Sequence, residues 1–141
     1  MNNIEDTIEW IRIAERDFDA AKILNEAVRK HYEVICYMCS QATEKYLKGF
    51  LVSNDIIPQK THNLMLLHSL CADIENNFAT IDTLCDFLNR YASDIRYPHQ
   101  YEVCETDAIR AINAVEKIRN FKPILELREL LNNNETAIHS A

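Results

Sequence analysis

Apolar residues recur at intervals of three and four along most of the chain, the spacing that lines one face of an α-helix. The densest stretch is Ser40 to Leu51. Advancing about 100° per residue puts Ile35, Cys39, Ala42, Tyr46 and Phe50 in one apolar sector. Gln41, Glu44, Lys45 and Lys48 form a narrow polar stripe nearly opposite, and Val34, Tyr37 and Met38 add apolar character on that second side. A helix that is apolar almost all round is buried on more than one side. The pattern therefore predicts a central helix over residues 32–53, its stripe emerging at one end as a solvated face with local Glu–Lys pairs.

The flanking pattern predicts further helices. Ile8, Ile11, Ala14, Phe18, Ala21, Leu24 and Val28 mark a first one over 5–29, with Glu5, Asp6 and Glu9 where the helix dipole favours negative charge. Thr61 is placed as the N-cap of a third helix, over 62–76, which carries Leu64, Leu67, Cys71 and Ile74 on one face. Thr80 is a second candidate cap, before a fourth helix over 81–95 that Pro98 stops. Arg96 to Glu105 reads as a loop. A fifth helix starts at Glu105 or Thr106 and points Ala108, Ile109, Ile112, Val115 and Ile118 inward. At Pro123 either this helix kinks or a new one begins with proline in its first turn. The expected fold is all-α, an antiparallel up-and-down bundle of four to five helices. It forms one domain over residues 1–131, followed by a frayed polar tail over 132–141.

Composition narrows this picture. The 141 residues include one glycine and three prolines, too few for a turn-rich β architecture. Fifteen basic against 22 acidic residues give a net charge of −7, so the overall field repels nucleic acid and anionic membrane. Contact with RNA or a nucleotide then requires a local basic cluster. No apolar run approaches the ~18 residues of a membrane span, and Met1 to Ile8 is unlike a secretory leader. With five cysteines, an odd number, the expectation is a reduced, cytoplasmic protein with free thiols, no membrane contact and no cofactor. Cys36 and Cys39 form a lone CxxC inside the helical pattern and read as small buried residues rather than metal ligands.

Three segments together carry a resemblance. Gln41-Ala42-Thr43-Glu44-Lys45-Tyr46-Leu47-Lys48 resembles a Q-A-x-E-K-x-L-K signature, Lys60-Thr61-His62-Asn63-Leu64 resembles a K-T-H-D/N-L segment, and Arg96-Tyr97-Pro98 resembles R-Y-P. In this order and spacing the chain is similar, over roughly residues 5–130, to the HEPN domain family, named for higher eukaryotes and prokaryotes nucleotide-binding. The resemblance implies a helical bundle, usually a homodimer. It also implies a possible partner, since stand-alone members are often encoded beside a minimal nucleotidyltransferase and form a toxin–antitoxin pair with it. Some members are metal-independent ribonucleases that use an R-x(4–6)-H motif facing its copy across the dimer. This sequence departs from that motif, because the histidine that follows Arg96 is His99 and Pro98 lies between them.

Two functions are therefore expected from different classes. The first is a nucleotide- or RNA-binding helical module, the partner of a minimal nucleotidyltransferase. The alternative is a metal-independent endoribonuclease in which Arg96 offsets the charge of a phosphorane and His99 or His62 acts as base. Arg96 has the competing reading of an ion pair with Asp94 or Glu44, and His99 that of an exposed loop histidine. His62 stands at a helix start, where with Lys60, Lys45 and Lys48 it would cradle a phosphate. Its other reading is packing against the central helix with a bond to a backbone carbonyl. Tyr97 and Tyr101 either stack a base or wall the end of the bundle. His68, on the apolar side of the third helix, reads as a satisfied core histidine.

Overall fold

The helix centred on Ser40 to Leu51 runs from Tyr32 to Ser53 and is α2 of six α-helices among the described residues. The computed structural model describes residues 3–93 and 102–140, with side chains described through residue 135. The other helices are α1 (Asn3–Glu26), α3 (Leu64–Ile74), α4 (Asp82–Asn89), α5 (Glu105–Asn120) and α6 (Lys122–Ser140), with a 3-10 segment at Asn76–Ile81 ahead of α4. The described residues contain no strand, so the fold is the all-α bundle the pattern implied. α2 touches all five other helices and packs along the length of α1.

The apolar sector read from the sequence is the core. Ile35, Cys39, Ala42 and Tyr46 are fully buried and Phe50 nearly so. The second side is also partly covered, with Val34, Tyr37 and Met38 half-buried. Gly49 allows α1 and α2 to approach closely, since a Cβ there would stand 2.7 Å from Ile11 Cδ1. At one end of the bundle Phe78, in the 3-10 segment, lies between Phe50 and Phe121, with ring centroids 4.6 and 5.0 Å away.

Local chemistry corrects several expected boundaries. The N-cap of α3 is Asn63, whose carbonyl accepts the Met65 and Leu66 N–H groups. Thr61 instead accepts the Asn63 N–H one turn earlier. Thr80 caps nothing, because its hydroxyl donates back to the Asn77 carbonyl, and Ile81 begins α4 without a side-chain cap. α4 ends at Asn89 although Tyr91 and Ala92 are buried, so the apolar period continued past the helix itself. Val28 lies beyond the end of α1 and is fully exposed, and Ile74 and Ile109 are exposed by 40% and 47%. At Pro123 the second alternative holds: Phe121 leaves helical geometry and α6 starts at Lys122. Helix continues through the stretch expected to fray, as far as Ser140.

Candidate functional site

The polar stripe of α2 is not solvated. Glu44 is 2% exposed and Lys48 6%. α1 covers them, with the Lys48 ammonium 5.6 Å from the centroid of the Trp10 ring. The expected Glu–Lys pairing does form: Lys48 Nζ donates to Glu44 Oε2 at 3.1 Å, and Lys45 Nζ stands 3.3 Å from the same oxygen. Lys45 also donates to Gln41 Oε1 at 3.1 Å.

The second carboxylate oxygen of Glu44 is used from outside the helix. Residues 54–63 link α2 to α3, with Asp55, their second residue, in the left-handed region at φ 63°. Asn3 on α1 anchors this turn, its side-chain N–H group donating to Asp55 Oδ1 and the Val52 carbonyl at 2.6 Å each. The link returns along α2 and sets His62 Nδ1 2.6 Å from Glu44 Oε1. Burial works against charge on Glu44, but the His62 hydrogen bond and the two lysines outweigh it and hold its carboxyl below the usual carboxylate range. An ionised carboxylate only accepts, so Nδ1 carries the proton and Nε2 is left for another partner. The His62 side chain is 62% exposed against 3% for Glu44. The arrangement is an outward-facing imidazole oriented by a buried carboxylate, beside two ammonium groups. Nε2 of such a group accepts a proton from a ligand hydroxyl, and it donates to an anion once the ring carries both protons.

Of the expected phosphate ligands, the fold thus brings Lys45, Lys48 and His62 together around Glu44. Lys60 is exposed on the same link. The bond of His62 goes to the Glu44 carboxylate, which corrects the reading in which a backbone carbonyl received it. Arg96, Tyr97, His99 and Tyr101 lie outside the described residues, as does the expected pairing of Arg96 with Asp94 or Glu44. His68 is satisfied in the core, 6% exposed, with Nε2 donating to the Phe78 carbonyl at 2.7 Å and Asp82 Oδ1 3.7 Å from Nδ1. Cys36 and Cys39 are fully buried, and burial pushes the Cys36 thiol up to about 12. Among the described residues no group of three or more His, Cys, Asp or Glu could hold a metal ion.

The family model of the HEPN domain matches residues 7–132 of the chain. The protein belongs to the HEPN domain family. Among solved structures it is similar to a crystal structure of an archaeal HEPN homologue, with a TM-score of 0.64 and 28% sequence identity over 93% of this chain and 99% of that one. No curated protein sequence matches it. The Glu44–His62 bond joins the two HEPN-like segments, Gln41 to Lys48 and Lys60 to Leu64, by fastening the end of the α2–α3 link to α2.

This HEPN chain holds a second ionic cluster that sequence reasoning missed. Glu15 on α1 accepts from the Tyr46 hydroxyl at 2.6 Å, from Arg119 Nη2 on α5 at 2.6 Å and from Arg128 Nε on α6 at 2.8 Å. Arg119 Nε also donates to the Tyr46 hydroxyl at 3.3 Å. Burial opposes its charge, yet these donors keep the Glu15 carboxyl below its usual range. The one available signal was Tyr46, a phenol in a core sector, which needs a polar partner when buried. Its partners are 31 and 73 positions away in sequence, beyond the reach of any periodicity. The cluster ties four helices and is a structural knot.

Proposed function

We propose that this HEPN protein is a nucleotide- or RNA-binding helical module that works as the partner of a minimal nucleotidyltransferase in a toxin–antitoxin pair. The observation that carries the reading is the carboxylate-oriented His62, held out from a buried Glu44 that also gathers Lys45 and Lys48. Family membership supports it. In a protein of net charge −7, Lys45 and a His62 ring carrying both protons offer a phosphate a local cationic edge that the surface as a whole does not, with Lys48 behind them under Trp10. The test is fluorescence anisotropy of the purified chain with a labelled adenine nucleotide and a labelled single-stranded RNA. Wild type is expected to bind one of them, and His62→Ala or Lys45→Ala to weaken binding at least tenfold with unchanged circular dichroism. Binding that neither substitution affects sinks this site. The pair reading expects a neighbouring nucleotidyltransferase gene with a G-S-x(10)-D-x-D pattern, whose product co-elutes with this chain and relieves a growth defect it causes alone.

A second reading follows from the same histidine. If Nε2 of His62 takes the proton of a ribose 2′-OH, the chain is a metal-independent endoribonuclease with Arg96 or a neighbouring lysine offsetting phosphorane charge. Chelator-treated protein would then cleave total RNA, leaving 2′,3′-cyclic phosphate ends, and folded His62→Ala, His99→Ala and Arg96→Ala variants identify the residues used. Intact RNA after prolonged incubation with wild type rules this reading out.

A further inference from the structure

The groove between α4 and α5 carries an inference that does not depend on the Glu44–His62 reading. It encloses about 360 Å³. Its floor is apolar, formed by Leu84, Phe87, Ala114 and the half-exposed Ile109. Its charged lining is cationic, Arg110 and Lys117, and none of the described residues lining it is acidic. Asp107, near the start of α5, is engaged elsewhere, accepting from the Cys104 N–H and the Tyr91 hydroxyl. On a chain with seven more acidic than basic residues, a groove with two cations and no carboxylate among its described lining residues is a departure from the overall charge.

The geometry of Arg110 is specific. Its guanidinium carbon stands 3.9 Å from the centroid of the Phe87 ring, so the ring braces one side of the plane. The N–H edge then needs no further ordering to meet a carboxylate in a two-pronged bond. Lys117 lies seven residues on, two helical turns and about 10.5 Å along α5. Ile109 exposes aliphatic surface in the same groove. We propose that this groove docks an amphipathic acidic helix of a partner protein. The partner's apolar side chains rest on Leu84 and Ile109, and two of its carboxylates, themselves about two turns apart, meet Arg110 and Lys117. Nucleic acid fits less well, because Phe87, the one aromatic ring among the described residues lining the groove, is 3% exposed and covered by Arg110, with Arg90 4.9 Å from the same centroid. Stacking of a base needs an open ring face.

The experiment uses the full chain and a designed, fluorescein-labelled helical peptide with glutamates at positions i and i+7 and leucines at i+3 and i+4. Wild type is expected to bind it in low salt at least tenfold more tightly than a scrambled peptide of the same composition. Arg110→Glu with Lys117→Glu should abolish that preference, and a peptide with lysines in place of the two glutamates should bind the reversed double variant. Such charge-swap rescue separates docking from a loss of fold, and Ile109→Asp, checked by circular dichroism, tests the apolar contact alone. Equal binding of designed and scrambled peptides overturns the proposal, as does a designed-peptide affinity that ignores both sets of substitutions. Preferential binding of a single-stranded RNA oligonucleotide, lost in the reversed variant, overturns it in favour of a nucleic-acid groove.

Discussion

Glu44 is the residue on which the site turns, because one buried carboxylate holds two lysines and a histidine. Glu44→Ala leaves Lys48 buried without its counter-charge, and removing one partner of a buried pair costs about 3–5 kcal/mol. Lys48 has a long stem and can swing its ammonium outward, so the expected loss is about 3 kcal/mol, read as a lower urea midpoint. Glu44→Gln isolates the charge. The folded-state pKa of Glu44 is depressed below its ordinary 4.5, so its stabilisation is present above that value and is lost as pH falls through the lower folded value. Between pH 6 and pH 3 wild type should therefore lose stability more steeply than Glu44→Gln. Parallel curves for the two proteins would assign the acid sensitivity to other carboxylates, Glu15 first among them. Sequence reading expected local Glu–Lys pairs on this stripe, and Glu44 does pair with Lys45 and Lys48, but it took the stripe to be solvated. Helical periodicity sees one helix at a time, and what covers this stripe is Trp10 on α1.

Among the elements, α2 was legible to the residue and α4 was not, for one physical reason. Periodicity reports which positions are buried, and in α2 burial and helix coincide from Tyr32 to Ser53. Past Asn89 they part, since Tyr91 and Ala92 remain buried after the α-helix gives way to turn bonds from Tyr91 N–H to the Leu88 carbonyl and from Ala92 N–H to the Asn89 carbonyl. The closeness of α1 and α2 rests on Gly49, and its substitution sets two opposing effects against each other. Alanine in a helix interior gains about 1 kcal/mol over glycine. Overpacking a filled core costs about 1–3 kcal/mol. The obstructing atom is the methyl tip of Ile11, but Ile11 is fully buried and has little room to turn. Gly49→Ala should lower stability by about 1 kcal/mol, and Ile11→Val in the same chain should recover part of it, beyond the sum of the single changes. A stabilised Gly49→Ala protein would mean that the two helices separate freely. The Glu15 knot allows a second test of helix docking. Tyr46→Phe removes a donor to Glu15 and an acceptor for Arg119, at an expected cost of about 1–2 kcal/mol in a denaturant titration. An unchanged midpoint would make the hydroxyl a bystander to the Glu15–Arg119 pair.

Across the whole molecule the five cysteines report on how the bundle opens. Cys36 and Cys39 on α2, Cys71 on α3 and Cys85 on α4 are all fully buried, and Cys104 at the start of α5 is exposed. Only a thiolate reacts, and burial pushes the Cys36 and Cys85 thiols up to about 12, so exclusion and scarcity of thiolate act together. A disulfide reagent near neutral pH should therefore modify one thiol of the native protein quickly and all five once it is unfolded. Two of the four slow thiols lie on α2 and the others on α3 and α4, which both contact it, and α2 is the helix that the Glu15 knot fastens to α1, α5 and α6. If that arrangement makes the bundle one cooperative unit, their reaction rates coincide and track the global unfolding equilibrium. Glu44→Ala, which weakens α2 without touching any thiol, should then accelerate all four by a common factor, roughly 100-fold for about 3 kcal/mol. Acceleration confined to Cys71 and Cys85 would instead show α3 and α4 opening as a separate unit, with α2 left docked on α1. The assay needs no ligand or partner, and mass spectrometry of the modified cysteines distinguishes the two outcomes.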